Sequence, residues 1–364
     1  MPRNKEDRAV LISRFSALGD VAMTLPSVYD ACAANPDVQF YFLTRHHPAQ
    51  VFINRPPNLT LAPVNLENYK GVAGMWRLAK ALKKRYAITD YVDLHDVLRT
   101  KLLRLFMRLQ GVKVSKIDKG RRAKTELTRR TNKMLVQLKP MPERYREVFY
   151  RAGVALANDF ESLYGAGKGN PAEFASVLGL SVPNGSPDTG TWSKPKDEHW
   201  IAIAPFAKHK GKIYPVEQLE RVVEHFDRKG GVRIFMFGFG DGEASVIGRI
   251  AGRNKSVVNM AAAQLGIAAE LSLLSHCDVM LSMDSANMHL ASLVGLRTVS
   301  VWGATHPYTG FLGWKQRTRD VVQLDMTCRP CSVFGDRPCL RGDYHCLAGI
   351  TPKMIFDKVE AALT

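Results

Sequence analysis

The stretch Ala9–Asp20, AVLISRFSALGD, decides the fold. Its first seven residues are a short, mostly apolar run. A turn over Ser16–Asp20 closes it, which is the pattern of a strand buried on both faces. A helix follows from about Val21 to Ala34. Working outward, Val38–Leu43 and Ile88–Leu94 read as further strands, and Met75–Lys84 has helical spacing. Val97–Leu109 (VLRTKLLRLFMRL) reads as an amphipathic helix with Arg and Lys on its polar face. Strands alternating with helices argue an α/β fold, a parallel sheet covered by helices on both faces.

The pattern pauses and restarts. Leu180–Lys196 (LSVPNGSPDTGTWSKPK) is rich in Pro, Gly and Ser and marks a linker. Beyond it, strands are expected at Trp200–Pro205, Val232–Phe237, Val279–Ser282 and Thr298–Trp302. Helices are expected at Pro215–Arg228, Gly242–Ala251, Ala268–Ser275, Ser285–Leu293 and Pro352–Leu363. Pro215 suits a first helical position. The boundaries expected are a first domain at 1–182, a linker at 183–198 and a second domain at 199–364. Two such halves place a ligand in the cleft between them, near the C-terminal ends of the strands.

Composition narrows the function classes. The 364 residues are 46% hydrophobic and 23% charged, with a mean hydropathy of −0.15, which excludes disorder over most of the length. No run of about eighteen apolar residues occurs, so no transmembrane helix is expected. The start, MPRNKEDRAVLISRF, mixes acids with bases and is not a secretory signal, so a cytoplasmic protein is expected. The net charge is +17, which calls for an anionic partner. Lys113–Arg146 holds twelve Lys or Arg against Asp118, Glu126 and Glu143.

Four motifs sit where strands give way to helices. In Ser16-Ala17-Leu18-Gly19-Asp20, the Asp20 carboxylate at a strand top is placed to act as a general base or to cap the next helix. Lys208-His209-Lys210-Gly211-Lys212 precedes a helix start, where cations oppose the helix dipole unless an anion such as a diphosphate lies between them; the alternative is a solvated basic loop. Gly238-Phe239-Gly240-Asp241-Gly242-Glu243 follows a strand as a nucleotide loop would, or is a bare glycine turn; its spacing is not that of a dinucleotide fingerprint. Met283-Asp284-Ser285-Ala286-Asn287-Met288-His289 puts Ser285 and His289 on one helix face, as nucleotide contacts or as a cap and a core histidine.

The order of these motifs is more specific than any one of them. Leu18-Gly19-Asp20, the Lys212-Ile213-Tyr214-Pro215 loop, Gly238 with Glu243, Asp284–His289 and Val301-Trp302-Gly303-Ala304-Thr305-His306-Pro307 together resemble glycosyltransferase family 9, the ADP-heptose:lipopolysaccharide heptosyltransferases. The resemblance spans about residues 9–360. It implies a GT-B fold: two Rossmann-like domains whose parallel sheets face a central cleft, the first binding acceptor and the second binding nucleotide sugar. It implies inverting, metal-independent transfer of a heptose or related sugar from an ADP-sugar to a lipopolysaccharide or lipooligosaccharide core, with no cofactor required. Asp20 then matches the catalytic base. Lys212, with Lys208 beside it, matches the donor diphosphate contact, Glu243 the nucleoside side, and Asp284, Ser285, Ala286 and His289 the sugar and phosphate motif. The chain departs from the family in having Ala207 and Lys208 where hydroxyl residues are common, and Asp284-Ser285-Ala286 where D-T-G is common.

The basic segment belongs to the first domain in this reading, and Arg99, Lys101, Arg121, Arg122, Arg129 and Arg130 are candidates for holding an anionic acceptor. Its alternative is a mobile basic loop against phospholipid at the inner face of the cytoplasmic membrane. Cys328, Cys331, Cys339 and Cys346 form a tail for which a structural zinc, free thiols and disulfides are all open. Another GT-B enzyme, such as a sugar-nucleotide epimerase, would share the fold. A nucleic-acid-binding protein is suggested by charge alone, with no RRM, KH or helix-turn-helix pattern.

Overall fold

The computed structural model describes residues 8–179 and 193–364. The chain divides into two units, residues 1–121 with 139–163, and residues 122–138 with 164–364.

The first unit begins with β1 (Ala9–Ser13), α1 (Leu18–Ala22), α2 (Leu25–Ala34), β2 (Gln39–Thr44), α3 (His46–Ala49) and β3 (Leu59–Pro63). It continues through α4 (Gly71–Tyr86), β4 (Asp90–Asp93), α5 (Leu98–Leu109) and β5 (Lys113–Lys116). The short α6 (Arg121–Leu127) leads away from it, and α7 (Met141–Arg151) returns to it. The sheet is wholly parallel in the order β3-β2-β1-β4-β5, with Leu11 opposite Tyr41 on one side and Tyr91 on the other. Leu11, Leu43, Ala62 and Tyr91 form a core with Met75, Leu78 and Leu82 of α4 and Leu103 and Met107 of α5. The helix expected over Val21–Ala34 is two helices. Pro26 is the second residue of α2; its ring would clash with a carbonyl one turn back, so the chain restarts at Leu25. The edge strands β3 and β5 escaped the sequence reading because they are short and half-exposed.

The second unit holds β6 (His199–Ala204), α8 (Val216–Lys229), β7 (Val232–Met236), α9 (Gly240–Ala251), β8 (Val257–Asn259), α10 (Met260–Ala263) and α11 (Ile267–His276). Then come β9 (Val279–Met283), α12 (Ala286–Leu293), β10 (Thr298–Val301), β11 (Val321–Val322), α13 (His345–Ala348) and α14 (Pro352–Leu363). Its sheet is also wholly parallel, in the order β11-β10-β9-β6-β7-β8. Pro215 is the cap residue before α8 rather than its first helical residue.

Two expected boundaries move. The first unit ends at Leu163, not at 182, because residues 164–179 pack on the second: Gly169 N–H donates to Ser275 Oγ at 2.8 Å, and its carbonyl faces His276 Nε2 at 2.8 Å. The basic segment is also not one piece of the first domain. Residues 122–138 belong to the second unit. There Lys133 Nζ donates to the Cys328 and Pro330 carbonyls at 2.7 and 3.0 Å, Leu138 N–H donates to the Tyr308 carbonyl at 2.9 Å, and the Lys124 ammonium sits 4.3 Å above the Phe311 ring. Of the linker, 183–192 lies outside the described residues and 193–198 runs without regular structure into β6.

Candidate active site

Each sheet reverses its strand order once. In the first unit the chain moves outward from β1 to β3 and returns beside β1 as β4; in the second it moves outward from β6 to β8 and returns beside β6 as β9. The loops leaving the two central strands diverge at such a point and open a crevice at the carboxyl ends of the strands.

In the first unit that crevice holds Asp20. The residue lies in the first turn of α1, and its Oδ2 accepts from the Ala17 N–H at 3.2 Å, so the capping reading is correct as far as it goes. The same oxygen is 2.8 Å from Arg14 Nη2. Arg14 is buried at the end of β1, donates Nη1–H to the Leu94 carbonyl at 2.6 Å and stacks over Tyr145. Burial opposes its charge, but Asp20, Tyr145 and Asp93 together hold it protonated beyond the ordinary arginine range. Arg14 thus fixes the carboxylate from below.

The loop after β4 completes this crevice. Asp93 Oδ1 accepts the N–H groups of His95 and Asp96 at 2.8 and 2.9 Å, and Arg104 ties Asp93 to Asp96. His95 accepts from the Phe15 N–H and packs edge-on to its ring. Burial first, then the Arg14 and Lys119 charges, push its pKa down to about 3, so it is a neutral imidazole. Lys119, half-buried and within the field of Arg14, Arg121 and Asp20, is pushed down to about 8, again chiefly by burial.

In the second unit the crevice holds Lys212 and Asp284, one from each central loop. Lys212 Nζ lies 2.9 Å from Asp284 Oδ2, which also accepts from Thr305 Oγ1 at 2.8 Å. Ser285 is the N-cap residue of α12 and Ala286 its first residue, so the free N–H groups of that helix open beside the ammonium. His289 lies one turn further on and is buried. Two loops are pressed together to hold this arrangement. A Cβ on Gly211 would come 2.8 Å from Ala304 Cβ, and one on Gly303 would come 2.7 Å from the Gly211 carbonyl oxygen. Ala304 N–H donates to that carbonyl at 2.8 Å. A cation beside a helix N-terminus, on glycines that let backbone approach backbone, is chemically suited to an anion.

The sequence matches a known group of enzymes. The profile of glycosyltransferase family 9 (heptosyltransferase) matches residues 75–339. The chain belongs to glycosyltransferase family 9. It is 24% identical over 344 residues to lipopolysaccharide heptosyltransferase 1 of Pseudomonas aeruginosa, covering 88% of this chain and 85% of that protein. It spans only 28% of the length of lipooligosaccharide heptosyltransferase 2 of Campylobacter jejuni, 24% identical over 91 residues that are 25% of this chain. The solved Escherichia coli ADP-heptose lipopolysaccharide heptosyltransferase II superposes with a TM-score of 0.65 at 18% identity, covering 98% of each chain, and so shares the GT-B fold.

Within the family 9 frame, the other residues singled out in the sequence fall unevenly. Lys208 is exposed. Glu243 turns back and accepts the Phe239 N–H at 2.8 Å, at the start of α9 one strand away from Lys212. Arg99 lies 4.0 Å from Glu67, and Lys101 is exposed on α5. Arg121 is bound twice to Asp96, at 2.7 Å by its side chain and 2.6 Å by its carbonyl. Arg122 pairs with Glu126 one turn on. Arg129 and Arg130 are exposed. Parts of 113–146 are held by the fold: Arg144 is buried beside Asp118, and Lys139 pairs with Glu147.

The sequence reading missed two groups. One is Arg14 with Lys119, whose only signal was a cation within the first strand and another in the basic run. The other is Arg329, buried under the 302–305 loop, where its guanidinium donates to the Trp302, Gly303 and Thr305 carbonyls. His306 of the same loop is a turn cap: its Nδ1 accepts the Tyr308 N–H, and burial pushes its pKa down to about 4.

Cys346 lies near Cys328, Cys331 and Cys339, but among the described residues no group of three or more His, Cys, Asp or Glu is disposed to hold a metal ion. All four are free thiols; Cys331 Sγ–H donates to the Cys328 carbonyl, and burial pushes the Cys346 thiol up to about 11.

Proposed function

We propose that the chain transfers a heptose or closely related sugar from an ADP-sugar to a lipopolysaccharide-type core, with inversion at the anomeric carbon. The observation that carries this reading is the Lys212–Asp284 pair beside the α12 N-terminus, in a family 9 chain whose other sheet presents Asp20 at its own switch point.

In this reading the ADP diphosphate takes the place beside Lys212 and the α12 N–H groups, with Ser285, Ala286 and His289 toward the sugar. Glu243 and Lys208 serve the nucleoside and phosphate rim. The acceptor hydroxyl gives its proton to the Asp20 carboxylate as its oxygen bonds to the anomeric carbon. The bond from that carbon to the β-phosphate oxygen breaks, and the charge left on ADP is met by Lys212 and the helix terminus, with no divalent ion required. His95, already neutral with a pKa near 3, does not compete for the proton. Lys119 and Arg14 favour an anionic acceptor on the Asp20 side, with Arg99 and Lys101 as outer contacts; Arg129 and Arg130 offer exposed cations on the other unit, and Arg121 and Arg122 contribute less, being paired within the protein. Such an acceptor is lipid-borne, so the enzyme works as a cytoplasmic protein held peripherally at the inner membrane face. Among the described residues, no helix is long and apolar enough to cross a membrane.

The test is direct. Purified protein is incubated in EDTA with ADP-heptose and a delipidated core oligosaccharide lacking heptose, and products are weighed by mass spectrometry. Release of ADP with a one-heptose gain in the acceptor is expected. Loss of all turnover in EDTA with recovery on Mg²⁺, or consumption of ADP-heptose without acceptor, overturns the mechanism.

A further inference from the structure

We propose that the outer face of the α4–α5 pair is a docking surface for an anionic lipid bilayer. The two helices lie side by side on one face of the first sheet, with Trp76 of α4 set edge-on against Phe106 of α5. Their inner faces fill the core. Their outer faces carry large apolar side chains that nothing among the described residues covers: Leu98 is 74% exposed, Leu109 69%, Val72 61% and Leu105 50%. Leu98, Leu105 and Leu109, with the half-buried Leu102 between them, recur at helical spacing, so the exposed leucines form a stripe along α5 rather than a scatter.

The charges around the stripe identify the occupant. Five Lys or Arg lie on α4, and Arg99, Lys101 and Arg108 on α5, whose fourth cation, Arg104, is buried against Asp93 and Asp96; neither helix contains a single Asp or Glu. A helix facing water mixes both signs, as α8 does with Glu217, Glu220, Glu224 and Asp227 among its bases. A leucine stripe rimmed mainly by cations, with Glu67 beside Arg99 as the exception, suits an interface-lying helix, with leucines in the acyl boundary and Lys and Arg against anionic headgroups. Trp76 is the amphipathic ring that settles at headgroup level. A second copy of the chain fits poorly, because a symmetric contact would set this basic face against itself.

The placement also suits a lipid-borne acceptor. Leu98 opens α5 two residues after Asp96, so the stripe begins beside the loop that faces Asp20. The inference rests on the proposed function for its purpose only; the binding itself does not require turnover.

The experiment is sedimentation of the full chain with vesicles. One set contains phosphatidylglycerol and phosphatidylethanolamine, the other phosphatidylcholine alone. Binding to the anionic set only, weakened by salt, is expected. The triple variant Leu98→Ser, Leu105→Ser, Leu109→Ser should lose at least about tenfold in partitioning as apolar insertion is removed. The variant Lys80→Gln, Lys84→Gln, Arg108→Gln should lose roughly fivefold per charge at low salt. Thermal unfolding and ADP affinity by calorimetry verify folding, and the charge variant touches no core residue. Parent-like binding by both variants, or no binding by the parent, overturns the proposal. So does a change of oligomeric state in the leucine variant with vesicle binding intact, which would make the face a self-interface. Turnover on a delipidated acceptor should stay at the parent level in both. Its absence in the parent would count against the proposed function and leave the vesicle result standing.

Discussion

The two switch points are built alike and exposed oppositely. In each, a cation and a carboxylate from the central loops of a parallel sheet meet within 3 Å, 2.8 Å for Arg14–Asp20 and 2.9 Å for Lys212–Asp284. In the first unit the arginine side chain is 4% exposed and the carboxylate 26%. In the second the lysine is 15% exposed and the carboxylate 6%. The first sheet therefore offers an anion backed by a buried cation, and the second a cation backed by a buried anion. The same pair, turned over, suits a proton acceptor in one place and a phosphate in the other.

The sharpest way to break this comparison is Asp20→Asn. Asparagine keeps the size and still reaches the Ala17 N–H, but it cannot take a proton. Turnover should fall about 10²- to 10⁴-fold with donor affinity, read by calorimetry, unchanged. Turnover within a few-fold of the parent would refute the base assignment.

Lys212→Ala should act on the other substrate. Losing one charge-assisted contact weakens the ADP-sugar by about 10- to 100-fold. It also leaves Asp284 buried without its ammonium, which should lower folding stability by on the order of 3 kcal/mol, discounted by the remaining Thr305 hydrogen bond. Lys212→Ala with Asp284→Ala should recover much of the stability and none of the affinity. A Kd equal to the parent's would remove Lys212 from the donor site.

Arg14→Lys tests whether the backing cation positions the base. A lysine cannot bridge the Asp20 carboxylate and the Leu94 carbonyl together, so kcat should drop roughly tenfold while donor affinity stays. The alkaline and acid limbs of the pH–rate profile should shift with it; a uniform loss of folded protein would leave the profile's shape intact. An unchanged kcat and profile would reduce Arg14 to a core residue.

The smallest effect concerns pH. Lys119, with its pKa lowered from 10.5 to about 8 by burial and by Arg14 and Arg121, loses its proton in the folded state before the unfolded chain does. The unfolded state thus binds more protons between about pH 8 and 10.5, and this group's contribution to stability rises with pH across that window. Its charge toward an anionic acceptor is lost over the same range, so the acceptor KM should climb a few-fold above pH 8, and Lys119→Gln should abolish the climb. A KM flat from pH 7 to 9 in the parent would exclude Lys119 from the acceptor side.

What was legible in the sequence follows from local chemistry. AVLISRF, WIAIAP and the strands around them are apolar runs between turns, and such runs declare buried parallel strands before any partner is known. Asp20, Lys212 and Asp284 were legible because strand-to-helix turns fall at fixed places along the chain, and because their order resembles one family. The tertiary structure decided the rest. Which member of each ion pair faces out depends on what packs behind it, Tyr145 and the Leu94 carbonyl behind Arg14, and Thr305 beside Asp284. The basic run from 113 to 146 looked like one feature because charge is counted along the chain. In space, residues 122–138 belong to the other unit, and of the flanking cations Arg121, Arg144 and Lys139 are spent on Asp96, Asp118 and Glu147. The four closely spaced cysteines looked like ligands for the same reason; in the fold they are free thiols, and burial raises the pKa of Cys331 and Cys346. Spacing along the chain fixes which element a residue belongs to. Only the packing of distant elements fixes whether its charge is buried, paired or presented.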